Sequence, residues 1–145
     1  MNARSFEEYV TSGVVKKITP DKARARSLMK EVEEKKEFLE LVLKKLEQRE
    51  VSPNFVVDSC YDLLIELIRA KMLTVGYSSD KSHEAEVSYL RKMGFSEKEV
   101  SFMNELRWYR NGIKYYGKRL DQEYAQNVLV FLKENYEKIK NNIKL

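Results

Sequence analysis

The run Arg110-Asn111-Gly112-Ile113-Lys114-Tyr115-Tyr116, closed by Gly117, brings two cations, an amide and two phenols into seven positions. An arginine offers a planar fork of donors that matches a phosphate. An asparagine pairs with donors and acceptors alike, and a phenol stacks on a base while presenting a hydroxyl. The chemistry such a set supports is contact with nucleotides or RNA, with Arg107, Arg110, Asn111, Lys114, Tyr115 and Tyr116 as candidate ligand-binding residues. The run contains no histidine, the side chain whose unperturbed pKa of about 6.5 suits proton exchange near neutral pH.

Asn111 and Gly112 both cost helix propensity, and local violations of this kind gather at functional sites. At about 100° per residue, Phe102, Leu106, Tyr109, Ile113 and Tyr116 form an apolar stripe that is expected in the core. Arg107, Asn111, Lys114 and Lys118 fall opposite, with Tyr115 to one side. Arg110 lies at the edge of the stripe, where a partly buried charge demands a partner. That partner is either a carboxylate on another helix or subunit, or a bound phosphate.

The charge distribution favours the second kind of partner. Residues 107 to 145 hold nine Lys or Arg against four Asp or Glu, whereas residues 1 to 106 hold 18 against 19, so the whole net charge of +4 sits with the motif. A local basic field attracts phosphate-bearing molecules, although a solvated helix face is the commoner reason for a charge run.

The elements that must position this run read as helices. With 145 residues, 43% hydrophobic and 34% charged, five Gly and two Pro, the chain is expected to form one all-α domain over 1–145: an antiparallel helical bundle of about five helices plus a short N-terminal helix or arm in 1–18. Thr19-Pro20-Asp21 predicts a helix start with Thr19 as the cap, running to about Gln48. Ser52-Pro53 predicts the next start and Gly76 its stop. Ser82 opens a shorter helix that ends at Gly94, Ser96 to Glu99 form a capping box for the motif helix, and Asp121 or a neighbour starts the last one.

The lone cysteine, Cys60, falls in an apolar run and reads as core. The lone histidine, His83, lies 27 positions before Arg110 at a helix start, where a capping or packing role is expected. No cluster of Cys and His and no glycine-rich loop is present, so neither a metal nor a cofactor is expected. No apolar run of about 18 residues exists, and a cytoplasmic protein away from the membrane is expected.

The long helix hairpin, the start at Lys81-Ser82-His83, and Leu106-Arg107-Trp108-Tyr109-Arg110-Asn111 leading to Tyr115-Tyr116-Gly117 together resemble the prokaryotic HEPN domains. The likeness covers roughly Pro20 to Leu145. It implies a homodimer in which the motif helices of two subunits line a basic cleft. Active members of that family are metal-independent endoribonucleases carrying an arginine, a polar residue and then a histidine. Carried over, Arg110 would hold the scissile phosphate, Asn111 would fill the polar position, and the histidine position falls at Tyr115 or Tyr116. A tyrosine, with a pKa of about 10, is a poor general base.

The resemblance therefore implies a non-catalytic nucleotide- or RNA-binding subunit acting with a minimal nucleotidyltransferase in a toxin–antitoxin type of system. Tyr115 or Tyr116 is then a contact or an acceptor for a nucleotidyl group. A degenerate endoribonuclease built on Arg110, Asn111 and Tyr115 is the alternative. A purely structural dimeric bundle, with Arg110 in an interchain salt bridge, is the second.

Overall fold

The structure, a computed structural model, describes residues 4–145. Six α-helices follow one another: α1 (Phe6–Thr11), α2 (Lys22–Lys45), α3 (Pro53–Val75), α4 (His83–Ser88), α5 (Glu97–Tyr116) and α6 (Gln122–Asn141). Short 3-10 turns sit at Gln48–Glu50 and Tyr89–Met93, the latter continuing α4 to Gly94. The expected all-α bundle is the fold observed, with one small addition: β1 (Lys16–Lys17) pairs antiparallel with β2 (Tyr77–Ser78), Lys16 opposite Ser78.

α3 is the axis of the bundle. Val57, Cys60, Tyr61, Leu64, Leu67 and Ile68 are all fully buried, because α2 and α6 flank α3 along its length while α4 and α5 close the remaining sides. A helix apolar around most of its circumference belongs in such a central place. Its ends are those expected: Pro53 at the first turn, where a missing N–H costs nothing, and Gly76 at the close in the left-handed region with φ 90°. A Cβ at Gly76 would also lie 2.7 Å from the Ile18 carbonyl oxygen, so the entry to α2 requires this glycine twice over.

That entry corrects the expected start of α2. Ile18 N–H donates to the Gly76 carbonyl and Asp21 N–H to that of Leu73, which holds the chain extended past Pro20 against the end of α3. Asp21, not Thr19, therefore caps α2, its Oδ1 accepting from Arg24 N–H at 3.0 Å. The other caps agree with expectation: Ser82 accepts from Ala85 N–H, Ser96 and Glu99 form a reciprocal box, and Asp121 accepts from Tyr124 N–H. In α2 the buried stripe is Ala25, Met29, Val32 and Leu39, while Phe38 and Leu41, and Leu46 just past the helix end, stay exposed.

Candidate functional site

α5 delivers the candidate residues. Its buried positions are Val100, Met103 and Leu106, one helical turn apart on the side facing α3 and α4. Phe102 and Ile113 pack at the edge of the core, and Tyr109 lies against Tyr124 with ring centroids 4.7 Å apart. Tyr116 corrects the expected stripe: it is the last residue of α5, which Gly117 ends at φ 63°, and is 85% exposed.

Arg110 is drawn inward. Its Nε lies 3.3 Å from Asp58 Oδ1 and its Nη2 lies 3.4 Å from Asp62 Oδ1, two carboxylates one turn apart on α3. The guanidinium also stands over the Tyr61 ring, 5.4 Å from its centroid, in a cation–π contact. Only 11% of the side chain remains exposed. Burial and repulsion from Asp58 raise the Asp62 pKa, and Arg110 partly offsets this. Of the two partners that a half-buried arginine can take, this one has carboxylates of its own chain.

Arg107, one turn earlier, reaches Glu84 on α4 with Nη2 at 3.3 Å, while its Nε is buried without a partner. Glu84 also accepts from the Tyr9 hydroxyl at 3.1 Å, tying α1 to the same corner. His83 is brought closer to the motif than its sequence position implies. Its Nδ1 is 2.9 Å from the Tyr61 hydroxyl, and the two rings stack at 5.7 Å, so one buried phenol lies between His83 and Arg110. Burial lowers the His83 pKa, and the charges of Arg69, Arg110 and Arg107 add to that effect while Glu86 opposes it. Glu86 itself is fully buried and bonded by Arg69 Nε, Arg69 Nη2 and Ser79 Oγ.

Sequence reading singled out none of Tyr61, Asp58 and Asp62. The available signal was a pair of carboxylates one turn apart on a helix whose other positions are mostly apolar. Asp58 and Asp62 precede Arg110 by 52 and 48 positions, and only the packing of α5 on α3 joins them.

The end of α5 is different in character. Tyr115 is 71% exposed, and Lys114, Lys118 and Arg119 are exposed beside it. Asn111 is half-buried between this end and Arg110. The Lys118 side chain folds back across Gly112, its Cδ only 3.2 Å from where a Cβ would stand, to place Nζ 4.5 Å from the Trp108 ring centroid. Gly112 therefore serves local packing: without a side chain it lets the cation lie across the helix. Asn54 at the start of α3 fastens the turn, its Nδ2 donating to the Lys118 carbonyl at 2.8 Å and its Oδ1 accepting from Leu120 N–H at 2.9 Å.

Of the six candidate residues, Lys114, Tyr115 and Tyr116 thus form an exposed basic and aromatic end, joined by Lys118, Arg119 and Trp108. Arg107 and Arg110 are ion-paired inside the α3–α4–α5 corner. Cys60 is buried in the core and its thiol pKa is pushed up to about 12 by burial. Among the described residues no group of three or more His, Cys, Asp or Glu is arranged to hold a metal ion, and no helix is long and apolar enough to cross a membrane. Comparison with protein families, with curated proteins and with solved structures yields no match.

Proposed function

We propose that the chain is a HEPN-like nucleotide- or RNA-binding helical bundle that acts through the C-terminal end of α5 and is not by itself a catalyst. The observation that carries this reading is the pair of phenols, 71% and 85% exposed, set among Lys114, Lys118 and Arg119. Neither phenol belongs to the core. Aromatic faces that stack on bases, beside cations that meet phosphates, are the ordinary equipment of single-strand binding. The partner that the resemblance implies, a minimal nucleotidyltransferase of the toxin–antitoxin type, would find an accessible acceptor in either phenol.

Titration of a fluorescent single-stranded RNA and of ATP with the protein tests this reading. RNA affinity should fall steeply as salt rises, because phosphate contacts release counterions. Salt-independent binding, or no binding of either probe at low salt, would sink it.

A structural role for the inner arginine is a second reading, favoured by the placement of Arg110 between Asp58 and Asp62 over the Tyr61 ring. There Arg110 is a strut that fixes α5 on α3, and the nucleotide-binding work is left to the helix end. The endoribonuclease reading finds less support: Tyr115 stands away from Arg110 in solvent, and the arginine fork is already engaged. RNA cleavage that persists in EDTA and disappears in Arg110→Ala would revive it.

A further inference from the structure

Residues 1–106 are close to neutral as a whole, but their charge is unevenly placed. Lys16, Lys17, Lys22, Arg24, Arg26 and Lys30 stand within 15 positions that hold one carboxylate, Asp21. All six cations are exposed, and among the described residues none of their side chains is in an ion pair, a hydrogen bond or a cation–π contact. Asp21 is itself engaged, its Oδ1 accepting from Arg24 N–H.

This placement works against the helix that carries it. α1, α4, α5 and α6 each have a carboxylate in the first turn, as the helix dipole favours. α2 has none there and opens instead with Lys22, Arg24 and Arg26. Lys22, Arg26 and Lys30 also follow one another at four-residue spacing, where like charges repel. A merely solvated face mixes both signs, whereas nine residues of one sign that oppose their own helix are a local conflict of the kind expected at functional sites.

The fold sets this patch well apart from the end of α5. β1 pairs with β2 just beyond α3, and Asp21 N–H donates to the Leu73 carbonyl, so β1 and the start of α2 lie at the C-terminal end of α3. The end of α5 lies at the other, where Asn54 holds the Lys118 carbonyl, and the 23 residues of α3 span about 34 Å.

From Lys22 to Lys30 the cations extend about 12 Å along α2, which suits a polyanion better than a single phosphate. Residues 16–30 contain no aromatic side chain, so unpaired bases find nothing to stack on. Ala25 and Met29 are buried, so these turns keep no apolar face to enter a lipid surface. A duplex, with its bases inside and its phosphates outside, is the polyanion that fits.

We propose that β1 and the first nine residues of α2 form a second nucleic-acid surface, one that grips the phosphate backbone of a duplex through side-chain cations. The proposal goes beyond the reading of the α5 end and does not rest on it.

Anisotropy titration of a fluorescent blunt RNA duplex of about 20 base pairs tests it. Lys22→Gln with Arg26→Gln and Lys30→Gln should weaken duplex affinity by about tenfold or more and flatten its salt dependence by about two to three phosphate contacts. The same loss of charge at the exposed Lys44, Lys45 and Lys98, each changed to Gln, should weaken it by about threefold at most, which separates the patch from net charge. The urea midpoint of the first triple variant should match or exceed that of wild type, since the charges removed oppose the helix. Tyr115→Ala with Tyr116→Ala should leave duplex binding intact, so failure at the α5 end and failure at this surface are told apart. Equal losses in the two triple variants, unchanged duplex affinity in the first, or a chain that binds phosphatidylserine vesicles and not the duplex would each overturn the proposal.

Discussion

The Tyr61 hydroxyl lies 2.9 Å from Nδ1 of His83, a bond between the buried middle of α3 and the first residue of α4. Burial pushes the phenol pKa up, so Tyr61 keeps its proton and shares a hydrogen bond with the imidazole nitrogen. With Arg110 over the same ring, a single tyrosine couples the lone histidine to the motif arginine.

His83 should make stability depend on pH. Burial sets its folded-state pKa below the ordinary 6.5, so between those values the unfolded chain binds the extra proton. Stability is complete above 6.5 and is lost as pH falls toward the folded-state value. Urea unfolding midpoints should drop between about pH 7.5 and about pH 5.5, and His83→Gln should flatten that slope. Asp62 works in the opposite sense: its raised pKa favours the fold as acidity increases, in the carboxylate range. An unchanged slope in His83→Gln would mean that another group is responsible.

Arg110→Ala should cost stability. Asp58 and Asp62 would be left beside each other without their cation, and because both are about a third exposed the loss should be about 1–2 kcal/mol, less than for a buried pair. RNA affinity should change little. A stable variant that no longer binds RNA would instead make Arg110 a phosphate ligand.

Tyr115→Ala and Tyr116→Ala should leave the unfolding midpoint within about 0.5 kcal/mol of wild type, since both side chains stand in solvent. Each should reduce single-stranded RNA affinity by roughly tenfold if it stacks on a base. Fluorescence anisotropy and urea titration on the same preparations separate the two effects.

Glu86→Gln should be the most damaging single change. The carboxylate is fully buried and takes both Arg69 donors and the Ser79 hydroxyl, so its neutral amide leaves a guanidinium without its counter-charge. A loss of about 3 kcal/mol is expected in urea unfolding. A loss below 1 kcal/mol would show that solvent reaches Arg69 easily.

Local chemistry made most of the fold legible. Capping by Ser82, Ser96 and Asp121, the proline at the start of α3 and the glycine stops at Gly76, Gly94 and Gly117 all act through the nearest few residues, and those helices begin and end where the signals stand. The start of α2 was misread, because Asp21 took the cap only when its own N–H was claimed by Leu73, 52 residues away. Tyr116 likewise fits an apolar stripe by spacing, and spacing is blind to which turns of the helix its neighbours cover.

From sequence alone came the helical class, the helix ends other than those of α2, the basic bias of the C-terminal segment and the choice of α5 as the helix to examine. Which of its groups are free was decided by tertiary packing. Arg110, the residue with the strongest chemical claim, is held by Asp58, Asp62 and Tyr61, while Tyr115 and Tyr116 stay in water. The reason is physical: an ion pair between helices depends on their rotation and distance, which periodicity within one helix cannot encode.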